Sequence, residues 1–534
     1  MPRRVIAFFT VLSILMGLLC YRIYNITQSD YAQAQRSGST VTLTIDKSRG
    51  VFYDCNMQKL TNTQQQNIAA IVPTTQALAA IRRYFTPEDV TSLLQRLSKG
   101  KPITAQVGDD FSSASGTNVF KITKRYEQQQ SAAHLIGYLD SGNASGIAGL
   151  EKVFNDWLTK DQSELSITYD VDASGRVLTG NKPVIENENY ESKHGVQLTI
   201  DKNIQKIAEK ASKKIPAGAI VVMEVKTGKL RAVVSTPNYD PNNISASLNE
   251  EGSPFLNRAF RGYSLGSIFK IVTAAAALEN NIQIQEPYTC TGSTTAGGKE
   301  FRCYQQKAHG EVSMETALEK SCNSYFINLA LQIGREKLLA QAQKMGLGKE
   351  NVLADGFTSA AGILPALAEI DSDAALANLA FGQGKLLVTP LQVAGVLASI
   401  ANDGNYTEPS LIEGLIDENG QIAQKEPQKQ SERMMSRATA SILSCYLIHA
   451  MESNYSRIAM PVYGGAGGKT ATAQSGWIQY GEEILHTWFA GFYPAQNPKY
   501  SIVIMNENGK FGASDCCPVF KEIVDGLYQQ SYIK

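Results

Sequence analysis

An alanine-rich segment in the middle of the chain constrains the fold most. Residues 271–278 read Ile-Val-Thr-Ala-Ala-Ala-Ala-Leu and follow a turn that contains Gly266. Alanine has the highest helix propensity, so the segment predicts a helix that begins at this turn. Such a helix places Ser267 in its first turn and Lys270 three residues later, on the same face. We expect the rest of the chain to be organised around this helix start.

Ser267 and Lys270 form a candidate nucleophile and base. Free backbone N–H groups and the dipole at a helix start favour the negative charge that develops when a serine reacts. A lysine within reach of the hydroxyl can take its proton if the surroundings keep the amine neutral. The spacing alone is weak evidence, because Ser98 and Lys101 are separated in the same way.

Length and charge exclude some classes of protein. The chain has 534 residues, enough for two or three domains with a large core. Its 50 Lys and Arg residues balance its 50 Asp and Glu residues. No basic run with interleaved aromatic residues occurs either, so we expect no binding to nucleic acid.

The N-terminus predicts a membrane anchor. Arg3 and Arg4 precede residues 5–21, which carry no charge and are mostly apolar. This length suits a short membrane-spanning helix, and no small-x-small cleavage site follows it. We therefore expect residues 1–24 to be a cytoplasmic tip and an uncleaved single-pass anchor. The positive-inside rule then predicts a catalytic body outside the cytoplasm.

A polar stretch at residues 181–194 marks a predicted domain boundary. Residues 40–185 contain strands, loops and helices, including a short strand predicted at residues 134–138, but no dense catalytic constellation. We expect this block to be a non-catalytic scaffold. Residues 195–534 run from strands through many helices back to strands and a closing helix. That order fits an α+β domain in which the first and last strands form one sheet with helices against it.

Two further motifs complete a known signature. Ser321 and Asn323 form an S-x-N motif between two predicted helices, and Lys469, Thr470 and Ala471 enter a terminal strand. The order S-x-x-K, S-x-N, K-T-G is the signature of β-lactamases and penicillin-binding proteins. Each motif is common alone, and their order and spacing make the set specific.

The chain resembles the class B penicillin-binding proteins, which are peptidoglycan D,D-transpeptidases of elongation, division and sporulation. The resemblance covers essentially the whole chain. Besides the three motifs, it includes residues 48–54, 134–138, 149–151, 382–384, 389–392 and 488–492.

The resemblance implies the architecture. The implied fold is a penicillin-binding, serine β-lactamase-like transpeptidase domain at residues 195–534, an antiparallel sheet with helices. An elongated α+β pedestal, a dimerisation-like domain at residues 40–185, and an N-terminal transmembrane helix precede it.

The resemblance also implies the catalytic roles. Ser267 is expected to attack the penultimate D-Ala carbonyl of a stem peptide and to form an acyl-enzyme. Lys270 is the expected general base, and Ser321 is expected to relay a proton between Lys270 and the leaving amine. Desolvation and the positive charge of Lys469 are expected to lower the pKa of Lys270.

Substrate-binding roles follow in the same way. Asn323 is expected to bind the substrate backbone, and Lys469, Thr470 and Thr472 to hold the terminal carboxylate. The backbone N–H groups of Ser267 and Thr472 are the expected oxyanion hole. No cofactor is implied.

Two residues depart from the family pattern. Leu265 replaces the proline that usually precedes the Gly-Ser pair, and Ala471 replaces the glycine of K-T-G. The methyl group of Ala471 either crowds the ligand or points to the other face of the strand. This departure bears on the rate and on β-lactam affinity more than on the type of reaction.

The eight cysteines and five histidines show no paired C-x-x-C, no zinc-like Cys/His spacing and no HExxH, so the sequence predicts no metal site. Cys322 lies inside the S-x-N motif, Cys303 precedes it by 19 residues, and Cys290 opens the same segment. A redox-sensitive Cys303–Cys322 disulfide is one hypothesis, and free buried thiols are the alternative. His309 resembles a family motif, and we expect it to be structural.

The expected ligands and partners also come from the resemblance. They are D-Ala-D-Ala stem peptides, covalently bound β-lactams and a membrane-embedded multi-pass glycosyltransferase, since no such domain was found ahead of the body. Two different functions stay open. One is that of a D,D-carboxypeptidase or β-lactamase, which the pedestal and anchor disfavour. The other is that of a non-catalytic β-lactam sensor or scaffold, which the complete set of motif residues disfavours.

Overall fold

The computed structural model describes residues 2–28, 40–111, 115–172, 174–178, 180–284, 287–453, 456–479 and 481–533. The chain forms two compact units. The first contains Met1–Arg49, Gln64–Arg125 and Asp161–Ser192, and the second contains Gly50–Thr63, Tyr126–Lys160 and Lys193–Lys534.

The helices and strands are numbered in chain order. The helices are α1 (Pro2–Gln28), α2 (Thr75–Tyr84), α3 (Pro87–Leu97), α4 (Ala133–Ile136), α5 (Gly149–Val153), α6 (Asn155–Leu158), α7 (Lys202–Ser212), α8 (Ile244–Ser247), α9 (Phe269–Glu279), α10 (Met314–Glu319), α11 (Asn323–Ile333), α12 (Arg335–Lys344), α13 (Asp373–Ala380), α14 (Pro390–Ala401), α15 (Arg437–Ala450), α16 (Gly512–Asp515) and α17 (Cys517–Gln529). The strands are β1 (Thr40–Lys47), β2 (Val51–Tyr53), β3 (Gln64–Ile71), β4 (Ile103–Val107), β5 (Thr117–Lys124), β6 (Glu164–Asp170), β7 (Val184–Glu186), β8 (Gly195–Leu198), β9 (Gly218–Glu224), β10 (Leu230–Thr236), β11 (Tyr288–Cys290), β12 (Ser293–Ala296), β13 (Lys299–Arg302), β14 (Gly310–Val312), β15 (Val352–Ala354), β16 (Phe357–Thr358), β17 (Asn405–Thr407), β18 (Ile412–Ile416), β19 (Ile422–Lys425), β20 (Ser431–Arg433), β21 (Gly467–Gln479), β22 (Glu482–Tyr493) and β23 (Tyr500–Gly509).

Helix α1 has the length and apolar composition of a membrane-spanning helix. Arg3–Asn25 has a mean hydropathy of 2.1, and its most apolar part buries none of its surface in the protein. At about 1.5 Å per residue, a helix of this length crosses a hydrocarbon core of about 30 Å. This agrees with the predicted single-pass anchor.

The globular part of the first unit is built from two small sheets and two helices. The sheets have the strand orders β1-β6-β7 and β4-β3-β5, and all their pairs are antiparallel. Helices α2 and α3 begin at the side-chain caps Thr74 and Thr86. Ile81 and Leu93, one from each helix, pack with Ile71 in an apolar core.

A five-stranded antiparallel sheet organises the second unit. Its order is β10-β9-β23-β22-β21, so strands from both ends of the predicted domain form one sheet, as expected. Helix α14 packs on one face, and helices α7 and α17 pack on the other. Strand β9 is covered on both faces, which explains its nearly continuous apolar sequence.

Helix α9 is the alanine-rich helix predicted from the sequence. Residues 269–277 are all buried, and the helix packs against α11, α12 and α15. A helix surrounded by other helices needs no polar face, and its small alanine side chains allow close approach. The turn that precedes it, Gly266–Ile268, contains the candidate nucleophile Ser267 and is called the nucleophile turn below. This turn packs against β21 at the edge of the sheet.

The two units do not divide the chain at the single boundary predicted near residues 185–195. Residues 50–63 and 126–160 lie within the second unit. The reason is visible in a four-stranded sheet, where β2 pairs in parallel with β8. A pairing between segments so distant in sequence leaves no local signal.

The prediction of a strand at residues 134–138 is wrong. Residues 133–136 form helix α4, and Gly137 ends it with a φ of 86°. Leu135 and Ile136 are both fully buried. A short apolar run of this kind reads equally well as a buried helical turn or a strand.

Candidate active site

A turn that contains a glycine places Ser267 just before the first residue of helix α9. Gly266 has a φ of 62°, in the left-handed region, and its N–H donates to the carbonyl of Gly382 at 3.0 Å. Trp488 of β22 donates its indole N–H to the carbonyl of Ser264 at 3.0 Å. Ser267 then lies in a 3₁₀ turn, Gly266–Ile268, that runs into the helix. Leu265, which precedes this turn, is buried in the main apolar core.

Ser267, Lys270 and Ser321 form one hydrogen-bonded triangle. The Lys270 Nζ lies 3.1 Å from the Ser267 Oγ and 3.0 Å from the Ser321 Oγ. The two serine hydroxyls are 2.9 Å apart. These separations allow a proton to move between any two of the three groups. The structure therefore brings together the three residues that the sequence predicted as catalytic.

The surroundings of Lys270 favour a neutral amine. Its side chain is fully buried, and burial together with the positive charge of Lys469 lowers its pKa to about 7. The Ser321 carbonyl and the Asn323 Oδ1 each accept an N–H from Nζ at 2.7 Å. A neutral amine has two N–H groups and one lone pair. These two acceptors use both N–H groups, and the lone pair is left for a serine hydroxyl.

Ser321 lies in an uncommon backbone conformation. Its φ is 56°, which a non-glycine residue rarely adopts. In this conformation both its carbonyl and its hydroxyl reach Lys270. The strain, of order 1–2 kcal/mol, is a cost that the surrounding packing must offset.

Asn323 is the first residue of helix α11, and Cys322 caps this helix. The Asn323 Oδ1 accepts from Lys270, and its Nδ2 donates to the carbonyl of Arg302 at 2.9 Å. The second N–H of the amide remains for a ligand, and Asn323 lines the cleft. Its predicted contact with the substrate backbone stays a prediction.

Strand β21 forms the opposite wall at the outer edge of the sheet. Lys469 is buried, and its burial lowers its pKa to about 8. The Thr472 Oγ1 accepts the N–H of Gly512 at 3.1 Å, which leaves its own hydroxyl proton for a ligand. Thr470 also lines the cleft. These positions suit an anionic ligand, and their predicted contact with the terminal carboxylate stays a prediction.

Ala471 borders the cleft, but almost none of its surface is exposed there. It is only 3% exposed and belongs to the main apolar core, and it stands opposite the buried Trp488 in the register of β21 and β22. The methyl group therefore packs inside the protein rather than standing in solvent.

The site opens into a cleft of about 510 Å³. Six of the predicted residues line it: Ser267, Ser321, Asn323, Lys469, Thr470 and Thr472. Lys270 lies buried beneath them. The rings of Tyr304 and Phe511, which also line the cleft, stack with centroids 5.9 Å apart. The sequence gives no signal for this pair, because two single aromatic residues in loops form no motif.

The thiols of Cys303 and Cys322 meet as the hypothesis requires, but they are free. Their Sγ atoms are 3.9 Å apart, whereas a disulfide bond needs about 2.05 Å. Of the two alternatives left open by the sequence, this structure has the free buried thiols and not the disulfide. Cys290 and His309 lie in the same cluster, which the sequence did not predict.

The sequence and the fold both match characterised proteins. Residues 218–525 match the family model of the penicillin-binding protein transpeptidase domain. The peptidoglycan D,D-transpeptidase PbpA of Mycolicibacterium smegmatis is 29% identical over 82% of this chain and 89% of its own. Stage V sporulation protein D of Bacillus subtilis is 26% identical over 90% of this chain and 78% of its own.

A solved structure has the same fold. Penicillin-binding protein A of M. tuberculosis, in its penicillin G acyl-enzyme complex, superposes with a TM-score of 0.66 at 23% identity. The match covers 91% of this chain and all of that one, 100%. With the family model covering more than half of its residues, this chain belongs to the penicillin-binding protein transpeptidase family and is a class B penicillin-binding protein.

Proposed function

We propose that this protein is a membrane-anchored peptidoglycan D,D-transpeptidase that works through an acyl-enzyme on Ser267. One observation carries the proposal: the Ser267 hydroxyl lies 3.1 Å from a fully buried lysine amine whose pKa is about 7. A nucleophile beside a base that is neutral near physiological pH is the requirement for serine acyl transfer. The relative PbpA carries the same activity in its name.

Acylation follows from the hydrogen-bonded triangle. Lys270 takes the proton of Ser267 as Oγ attacks the carbonyl carbon of the penultimate D-Ala. The backbone N–H groups of Ser267 and Thr472 stabilise the oxyanion, a contribution of about 3 kcal/mol per donor in hydrolases. The C–N bond then breaks, and Ser321 passes the proton from Lys270 to the amine of the departing D-Ala.

Deacylation runs the same transfers in reverse. The amine of a second stem peptide attacks the ester carbonyl, and its proton returns through Ser321 and Lys270 to the Ser267 oxygen. The new amide bond cross-links two peptides. Earlier, during acylation, Lys469, Thr470 and Thr472 hold the terminal carboxylate of the donor peptide until its D-Ala leaves, and Asn323 binds the peptide backbone.

A β-lactam reacts at the same place. Its strained amide takes the position of the D-Ala-D-Ala peptide bond, and its carboxylate takes the position of the terminal carboxylate. Attack by Ser267 opens the ring, but the leaving amine stays tethered to the acyl group. The ester therefore persists longer than the substrate ester does.

The remaining parts of the chain serve this reaction indirectly. Helix α1 anchors the protein, with Arg3 and Arg4 in the cytoplasm and the catalytic unit outside, where peptidoglycan lies. The first unit is a non-catalytic pedestal. Glycan chains come from a membrane-embedded, multi-pass glycosyltransferase, which we propose as the partner of the anchor and pedestal.

Labelling with fluorescent penicillin tests the proposal. The full-length protein should form a covalent adduct, and Ser267→Ala should form none. Ser98→Ala is the matched control, because Ser98 starts an S-x-x-K sequence in the first unit and should label normally. An intact protein that does not label, or a Ser267→Ala variant that does, contradicts the proposal and favours a scaffold.

The lifetime of the adduct separates a transpeptidase from a β-lactamase. A transpeptidase should hold the penicilloyl ester for longer than the labelling experiment, whereas a β-lactamase releases it rapidly. With a D-Ala-D-Ala donor and an amine acceptor, a transpeptidase should form the new amide in preference to the hydrolysis product. Exclusive hydrolysis identifies a carboxypeptidase.

A further inference from the structure

Three thiols and an imidazole converge beside the S-x-N motif. Cys290 ends β11, Cys303 follows β13, His309 precedes β14, and Cys322 caps helix α11. The three Sγ atoms and one nitrogen of His309 all lie within 4.8 Å of one another. The thiols are almost fully buried, with exposures of 1%, 3% and 0%. Four separate elements thus place soft donor atoms around one point.

The separations between these atoms match a tetrahedron. With Zn–S bonds of about 2.3 Å and a Zn–N bond of about 2.0 Å, the S···S edges are about 3.8 Å and the S···N edges about 3.5 Å. The Sγ atoms of Cys290 and Cys303 are 3.8 Å apart, and those of Cys303 and Cys322 are 3.9 Å apart. The Cys290 Sγ lies 3.4 Å from the Nδ1 of His309.

We propose that Cys290, Cys303, His309 and Cys322 bind one structural Zn²⁺ ion. Three thiolates and one imidazole are a soft donor set that suits zinc and excludes Mg²⁺ and Ca²⁺. All four tetrahedral positions are filled by the protein, so no position is left for a substrate or a catalytic water. Each cysteine gives up its thiol proton to solvent as it binds the metal.

Backbone N–H groups around the cluster can stabilise the net negative charge of such a site. Three thiolates and one Zn²⁺ ion carry a charge of −1. Cys322 caps the positive end of the 11-residue helix α11, and its Sγ accepts the N–H of Tyr325 at 3.5 Å. The backbone of Ser324 also hydrogen-bonds to the thiol of Cys303.

The site has a structural reason to exist. Residues 288–312 form two separate two-stranded sheets, β11-β14 and β12-β13, and such pairs are marginally stable alone. A metal bound at their ends ties both sheets to helix α11. It also fixes Cys322, and with it Ser321 on one side and Asn323 on the other. The metal therefore positions the catalytic relay without touching the substrate.

Metal analysis of the full-length protein tests the proposal. Protein purified in detergent under reductant, from zinc-supplemented cells, should contain about one zinc per chain, and thiol modification should release it. Cys303→Ser should hold below about one tenth of an equivalent. Cys55→Ser is the control, since Cys55 lies outside the cluster, and it should keep the metal.

A second measurement does not depend on the variants folding. Cobalt exchanged into the wild-type protein should show the absorption of tetrahedral thiolate coordination, and removal of the metal should lower Tm. Wild-type protein that binds neither zinc nor cobalt overturns the proposal. A Cys303–Cys322 disulfide in freshly isolated active protein overturns it as well. None of these readouts uses transpeptidation, so the proposal can fail or stand independently of the proposed function.

Discussion

Gly266 and Gly382 touch backbone to backbone beneath the nucleophile. The Gly266 N–H donates to the Gly382 carbonyl at 3.0 Å, and a Cβ on Gly382 would lie 2.1 Å from the Gly266 carbonyl oxygen. No side chain fits in this space. The position of Ser267 therefore depends on a segment more than a hundred residues later in the chain.

Gly382→Ala should displace the nucleophile turn. The added methyl group forces Gly266 to move, and the φ of 78° at position 382 adds strain of about 1–2 kcal/mol. We expect penicillin acylation to fall at least about 100-fold, as expected for a misplacement near 1 Å. Stopped-flow acylation kinetics and a thermal melt measure the two effects.

Gly384→Ala is the control for backbone strain alone. Its φ is 87°, but the nearest atom to its added Cβ is the Asn378 Cβ at 3.7 Å. This variant should lose stability without a comparable loss of acylation. Equal loss of acylation in both variants would show that the contact with Gly266 is unimportant.

The rate of acylation should rise with pH through a midpoint near 7. Lys270 is a base only when neutral, and its pKa is about 7 because of burial and the positive charge of Lys469. Removing that charge in Lys469→Gln should move the midpoint to higher pH, in addition to weakening ligand binding. Measuring acylation against pH in both proteins tests this, and an unchanged midpoint would contradict it.

The free energy of unfolding should also depend on pH through Lys270. The unfolded lysine keeps its proton up to about pH 10.5, whereas the folded one loses it near pH 7. Between these values the unfolded state binds more protons, so the contribution of Lys270 to stability rises with pH. Lys270→Met should flatten this rise in denaturant titrations, and an identical slope in both proteins would contradict the assignment.

Ser321→Ala should lose the proton relay and keep the fold. Loss of a positioned acid–base group costs about 10²–10⁴ in rate, so acylation should fall within that range. Ser321→Gly should lose as much activity but gain stability relative to Ser321→Ala, because glycine adopts a φ of 56° without strain. If acylation stays within about threefold of wild type in both variants, the relay role is wrong.

Ala471→Gly should change stability more than activity. The Ala471 methyl group is buried in the core, and its removal together with the added flexibility costs about 1–2 kcal/mol. Because the methyl group packs in the core, its removal should change acylation by penicillin less than about threefold. A large gain in acylation rate would show that the methyl group obstructs the cleft.

The sequence by itself determined the chemistry of this protein. The alanine-rich segment fixed helix α9, and the spacing of Ser267 and Lys270 put both on one face, because helical periodicity is a local property. The sequence also predicted the paired apolar strands and the apolar N-terminal helix, because their patterns are local as well. The order of the three motifs then predicted the residues that the structure brings together around Ser267.

Only the tertiary structure decided what depends on distant segments. The parallel pairing of β2 with β8, the buried placement of the Ala471 methyl group and the contact of Gly266 with Gly382 each join residues with no local relation in sequence. The clustering of the three cysteines with His309 is of the same kind. Local sequence patterns indicate periodicity and turn chemistry. Close contacts between distant residues depend instead on the packing of the whole domain, which brings those residues to one point.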